Sequence, residues 1–259
     1  MLRRARRVIL AAVTAASIVT GLAACAPEAA PVLSASPSAS PNPQALPSPS
    51  PKAKSFFDKA LYSIDDPASV WVVVNKLRAL NPGNYIAPDL TAAPVPYISN
   101  PEMRPAAASA MAEMFAAAAA EGGGSMQIQN AYRSFSVQTS VHDRLVASLG
   151  EAKADAQSAR PGHSEHQTGL SADITALPEK CSIQACFGQT PQGIWLATNA
   201  WRFGFILRYP ADKTSITGYI YEPWHFRYVG PELSTEMHDT GITTLEEFFG
   251  LPAAPAYAN

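Results

Sequence analysis

Two stretches far apart in the chain each offer metal-binding side chains, and they can act together only in a fold that brings them into contact. The first, Ser164-Glu165-His166-Gln167-Thr168-Gly169-Leu170-Ser171-Ala172-Asp173, supplies His166 and Asp173. The second, Glu222-Pro223-Trp224-His225, supplies Glu222 and His225. Two imidazoles and one carboxylate are suitable donors for Zn²⁺, and three protein ligands leave a fourth position for water. Glu222 is then the remaining acid, where a general base that takes the water's proton belongs. The pattern predicts a water-activating metallohydrolase.

The spacing restricts the backbone that carries these groups. Between His166 and Asp173 stands Gly169, followed by Leu170, Ala172 and Ile174 at alternate positions. A glycine-relieved turn entering a strand suits this better than a helix, whose interior penalises glycine. Pro223 excludes the helical His-Glu-x-x-His arrangement for the second stretch, since it lacks an amide donor and clashes inside a helix. The flanking Gly218-Tyr219-Ile220-Tyr221 and Phe226-Arg227-Tyr228-Val229 are aromatic and β-branched, which places Glu222 and His225 on a strand or at its edge.

Each residue also has a plainer reading. His142 and His238 are expected as surface or hydrogen-bonded core residues, and His163, just past Pro161, as a loop residue beside the site. Glu222 alone would serve as an ion-pair partner of Arg227 or Arg208, and Asp173 alone as a turn cap. His166 and His225 resist that treatment because each lies in a pattern with an acid at a useful offset.

These two motifs resemble the zinc motifs of VanY-type D-Ala-D-Ala carboxypeptidases, whose wider kin include D-Ala-D-Ala dipeptidases, L,D-carboxypeptidases and the hedgehog domain. Further stretches agree: Asn75-Lys76-Leu77-Arg78 ahead of Tyr85 and Pro88-Asp89-Leu90, Ala131-Tyr132-Arg133-Ser134-Phe135 with Gln138, and Arg208-Tyr209-Pro210 with Ile216-Thr217-Gly218-Tyr219. The likeness runs from about residue 70 to 230. One departure is Ser171, where the family usually has alanine. The resemblance implies His166, Asp173 and His225 as zinc ligands and Glu222 as general base. It implies Arg133 as the group that polarises the scissile carbonyl, a post suited to a guanidinium that stays charged and donates in a fixed fork; a structural ion pair is the alternative. It implies Ser164 and Gln138 as contacts to the substrate's terminal carboxylate or peptide backbone.

The amino terminus points to export. Residues 1–24 combine Arg3, Arg4, Arg6 and Arg7 with an apolar run free of acids, as in a secretory signal. The run ends in Leu22-Ala23-Ala24-Cys25, which resembles the bacterial lipobox, so Cys25 is the expected lipid-modified residue after cleavage. An uncleaved membrane anchor is the alternative. Residues 25–54 are Pro, Ser and Ala with few bulky apolar side chains, a composition that cannot bury a core and reads as a disordered spacer. In polyproline form its roughly 26 residues from Ala26 to about Lys52 would reach about 80 Å, at ~3.1 Å per residue. The expected location is outside the cytoplasm, on the membrane and facing the cell wall. In an oxidising compartment Cys181 and Cys186 read as a short-loop disulfide at the rim of the cleft, with a redox or metal pair as the weaker option.

The formal net charge is −2, or about −6 once the four leader arginines are removed, with no basic stripe. This argues against a nucleic-acid partner.

Residues 55–259 read as one α+β domain with a central antiparallel sheet that carries the zinc site, flanked by helices. Helices are expected over 106–121, 136–150, 192–202 and 245–251, and strands over 126–132, 203–209 and 218–229. The strand over 126–132 is expected to deliver Arg133. The expected activity is zinc-dependent removal of a terminal D-alanine from peptidoglycan stem peptides by a monomeric enzyme. The alternatives are an L,D-carboxypeptidase acting on tetrapeptide stems and a catalytically silent wall-binding module.

Overall fold

The computed structural model describes residues 57–258. The expected signal segment, Cys25 and the spacer lie outside the described residues. Two short strands, β1 (Thr91–Ala92) and β2 (Glu102–Met103), form a ribbon ahead of helix α1 (Pro105–Ala120). Strand β3 (Met126–Asn130), helix α2 (Phe135–Leu149) and short helix α3 (Glu151–Asp155) follow. A 3₁₀ turn at Glu165–Thr168 leads into β4 (Ser171–Ala176). Then come α4 (Pro191–Asn199), β5 (Phe205–Leu207), the single turn α5 (Thr214–Thr217), β6 (His225–Tyr228), α6 (Pro231–Thr240) and α7 (Leu245–Phe249). The main sheet has the order β3-β4-β6-β5, with every neighbouring pair antiparallel.

Side-chain alternation divides this sheet into an apolar and a polar face. On β4, Ala172, Ile174 and Ala176 point one way and Ser171, Asp173 and Thr175 the other, and all six are buried. On β6, Phe226 and Tyr228 join the apolar side while His225 and Arg227 share the polar side. The apolar side packs beneath α1, whose Ala107, Met111, Met114, Phe115 and Ala118 recur at helical spacing and are buried. Pro105 starts that helix without losing a needed donor, and Gly122 follows its last turn. A second cluster, with Trp71, Val73, Leu233, Met237, Leu245 and Phe248, closes the fold beside β5 and α6. Fully burying an Ile or Phe of this kind contributes about 1.5–3 kcal/mol.

Several elements differ from the sequence reading. The expected 192–202 helix ends at Asn199 and tightens into a 3₁₀ turn over Ala200–Phe203 before Gly204. The expected 218–229 strand shrinks to His225–Tyr228, because Glu222-Pro223-Trp224-His225 forms a turn in which His225 N–H donates to the Glu222 carbonyl at 3.1 Å. Proline in its second position has the fixed φ such a turn uses. Helix α6 was not anticipated, since only Leu233 and Met237 mark its buried apolar stripe. The Cys181–Cys186 disulfide is formed.

Candidate metal centre and its cleft

Sheet register brings the two motifs together. Asp173 on β4 lies directly opposite His225 on β6, so their side chains leave the same face as cross-strand neighbours. His166 arrives from the 3₁₀ turn, which Gly169 terminates with a left-handed φ of 71°. A Cβ at Gly169 would lie 2.6 Å from Leu90 Cδ2, so the turn needs both the glycine's φ and its lack of a side chain. One donor atom each from His166, Asp173 and His225 lie within 4.8 Å of one another, and all three residues are buried.

Outer partners aim both imidazoles inward. His166 Nδ1 lies 2.7 Å from the Ala131 carbonyl oxygen and must donate to it, which turns Nε2 towards Asp173 Oδ2 at 3.4 Å. His225 Nε2 lies 3.3 Å from Glu165 Oε2, which turns Nδ1 towards Asp173 Oδ1, also at 3.3 Å. Asp173 Oδ1 is nevertheless buried without a hydrogen-bond partner, because His225 Nδ1 is near but not aligned. Such an orphaned acceptor between two inward-facing imidazole nitrogens fits a divalent cation, and this donor set is one that zinc accepts.

Glu222 stands at the start of the turn before β6, held by its own N–H donating to the Tyr209 carbonyl at 3.1 Å. Its Oε2 lies 3.8 Å from His225 Nδ1. Burial pushes its carboxyl up to about 8, with Asp173 adding to the rise and His225 opposing it. Burial alone would raise Asp173 too, but His166 and His225 hold that carboxyl well below the usual range. His225 is pulled down by burial and pulled up more strongly by Asp173 and Glu165, to about 9. Two acids beside the same imidazole are therefore driven in opposite directions.

Arg133 reaches the same point from the segment after β3. Ladder register slips between Ile128 and Asn130, and the strand ends three residues before the arginine. Arg133 NH2 lies 3.6 Å from Asp173 Oδ2, and NH1 donates to Gln138 Oε1 at 3.0 Å. The ion pair that was its plainer reading is thus present, and the guanidinium still lines the cleft. Gln138, expected to contact substrate, is fully buried in this structure. Its amide donates to Ser158 Oγ at 3.0 Å and to the Ala159 carbonyl at 2.6 Å, so it braces Arg133 from behind. Ser164 lines a cleft of about 250 Å³ together with Arg133, His166, Asp173, Glu222 and His225.

Sequence reasoning missed Glu165. It is buried on the polar side of the sheet and accepts from Arg208 Nε and Arg227 NH1, both at 2.9 Å, and from Ser171 Oγ at 3.3 Å. It occupies the ion-pair role that Glu222 was weighed for, and its second oxygen fixes His225. A signal was available: Glu165 adjoins His166, while Arg208 and Arg227 sit in apolar strand sequence that could bury a guanidinium only against an acid. Serine at position 171 adds a donor to this carboxylate. His142 bonds Asp155 at 3.0 Å, His163 Nδ1 lies 2.7 Å from the Asn75 carbonyl, and His238 stacks on Trp201 at 3.9 Å.

Comparison with known proteins gives a consistent picture. The family model described as VanY: D-alanyl-D-alanine carboxypeptidase matches residues 100–231. The chain is 41% identical over 194 residues to YodJ of Bacillus subtilis (strain 168), a carboxypeptidase by name, covering 73% of this chain and 70% of that one. It is similar to the solved LdcB LD-carboxypeptidase, with a TM-score of 0.65 and 41% identity over 71% of this chain and 87% of the other. It is also similar to a vancomycin-resistance D,D-pentapeptidase VanY solved with Zn(II), with a TM-score of 0.57 and 33% identity over 68% of this chain and 97% of that one.

Proposed function

The chain belongs to the VanY D-alanyl-D-alanine carboxypeptidase family, and from that premise we propose that it removes the C-terminal D-alanine from peptidoglycan stem peptides in a zinc-dependent reaction. One observation carries the reading. His166, Asp173 and His225 converge beneath a single cleft that also holds a proton-retaining acid, Glu222, and a braced guanidinium, Arg133.

Held by His166, Asp173 and His225, zinc would supply Lewis acidity and lower the pKa of a water. The rest of the chemistry belongs to the chain. In its ionised form Glu222 would take the proton that the attacking water gives up, burial favours keeping it there, and the same proton passes to the departing amine. Arg133 donates from its fork to the scissile carbonyl oxygen as negative charge develops there. Gln138 and Asp173 hold that fork on two sides, so little reorganisation is needed when the charge appears. Glu165 keeps His225 in the tautomer whose Nδ1 faces the metal position. Ser164, at the cleft wall, is the remaining contact for the substrate backbone.

The likeness to the LdcB LD-carboxypeptidase supports a second reading, cleavage of the L,D bond in a tetrapeptide stem. Mass spectrometry of stem peptides after incubation with zinc-loaded protein decides between them. Loss of one alanine from the pentapeptide, with the tetrapeptide untouched, is the expected result. Trimming of the tetrapeptide alone would establish the L,D reading, and no trimming of either would reject both. As for place, the reading is a lipoprotein anchored through Cys25 outside the cytoplasm. A spacer over residues 25–54 would lift the catalytic domain towards the wall.

A further inference from the structure

The loop between β4 and α4 carries a feature the proposed chemistry does not use. Ile183 has a φ of 52°, a left-handed backbone conformation costly for a β-branched residue, and Cys181, two residues before it, has a φ of 55°. A chain adopts that conformation here because it is pinned on all sides. Cys181 packs against the main apolar core, and Phe187 is buried within it. The Cys181–Cys186 disulfide ties the two ends together. Ser182 Oγ hydrogen-bonds Thr175 Oγ1 at 2.6 Å, on the strand and face that carry Asp173. The residue so constrained is an isoleucine that lines the cleft yet remains 43% exposed.

Strand register tells which part of a peptide it would meet. β3 and β4 are antiparallel, with Asn130 paired to Asp173 and Gln127 to Thr175. Arg133 therefore lies beyond Asp173 on the side away from Thr175. Ser158 and Ala159, gathered by Gln138, lie with Arg133. That polar end suits a terminal carboxylate, to which Ile183 offers nothing. Thr175 stands two residues further along β4 from Asp173, about 7 Å at ~3.4 Å per residue. Ser182, bonded to Thr175, anchors the loop at that end, and its neighbour Ile183 lines the cleft there, away from Arg133.

We propose that Ile183 is a specificity-determining contact for the part of the stem peptide preceding the residue pair at the scissile bond, and that the Cys181–Cys186 disulfide holds it there. This rests on the carboxypeptidase reading. The loop acts as a preformed apolar wall, so an upstream residue gains contact without the loop having to order on binding. Longer peptides are favoured over minimal ones as a result.

The test is binding, measured by calorimetry with zinc-loaded protein in a Glu222→Gln background. Its ligands are a stem pentapeptide ending in D-Ala-D-Ala and acetyl-D-Ala-D-Ala, which has no upstream residues. Ile183→Ser is expected to weaken the pentapeptide about tenfold, the scale on which an apolar contact discriminates, and to leave the acetylated dipeptide within about twofold. The Cys181→Ser/Cys186→Ser pair is expected to reproduce most of that loss. Unchanged pentapeptide affinity in Ile183→Ser, or equal weakening of both ligands, would overturn the assignment. Parent-like binding by the cysteine pair would remove the disulfide's part in it. Failure of the parent to bind either ligand would instead sink the carboxypeptidase reading.

Discussion

Glu165, Asp173 and Glu222 are all carboxylates packed about His225, and their neighbours give them different protonation behaviour. Glu165 faces two guanidinium groups, which overcome its burial and keep it ionised. Asp173 lies between two imidazoles and stays ionised for the same reason. For Glu222 burial outweighs the pull of His225, 3.8 Å away, and of Arg133, and its carboxyl rises to about 8. The acid best able to hold and release a proton near neutrality is therefore the one that is not expected to bind metal. Glu222→Gln keeps shape and removes the exchangeable proton site. It should retain full metal content by mass spectrometry while alanine release falls about 10²- to 10⁴-fold. Retained turnover would show that another group moves the proton. His166, Asp173, Glu222 and His225 were readable in advance because each sits in a patterned motif. Glu165 was not, since its role depends on Arg208 and Arg227, which face it only after folding; Gln138 was named in advance, but its bonds to Ser158 and Arg133 were not.

At the scale of elements, the site depends on a turn feeding a strand. The 3₁₀ turn ends in left-handed Gly169, whose carbonyl accepts from Arg104 N–H at 2.8 Å, and β4 begins two residues later. The sequence announced this geometry through a glycine inside an alternating run. It also announced α1, α2, α4, β3 and β5, whose apolar periodicity is strong. It did not announce how short β6 is, because aromatic composition suggested a longer strand while Pro223 fitted a turn equally well. Gly169→Ala tests the hinge. An alanine pays about 1–2 kcal/mol for the left-handed conformation, and its Cβ would in addition meet Leu90 at 2.6 Å. The variant should melt several degrees lower and bind zinc more weakly in a chelator competition, because His166 moves with the turn. An unchanged melting point and zinc affinity would show that the turn relaxes without cost.

Across the whole molecule, a buried charge network ties the metal side of the sheet to the C-terminal helix. His225 bonds Glu165, Glu165 bonds Arg208 and Arg227, and Arg208 passes to Glu246 on α7 at 2.8 and 2.9 Å. Asn75 Nδ2 completes Glu246 at 2.9 Å, and Arg227 NH2 donates to the Val72 carbonyl at 2.8 Å. Burial would raise Glu246, but Arg208 and Asn75 hold it below its ordinary 4.5. The folded carboxylate therefore refuses a proton that the unfolded chain accepts. This contribution to stability is complete above about pH 5 and is lost as pH falls below 4.5 towards the lowered folded value. Glu246→Gln leaves Arg208 with only Glu165, already shared with Arg227, as its ionised partner, and two buried cations on one carboxylate should cost stability. Denaturant titrations from pH 7 to pH 3 should show the variant less stable at pH 7 and its loss on acidification shallower than the parent's. Parallel pH curves for the two proteins would mean that the pair carries no proton linkage, and that acid weakens the fold through other carboxylates.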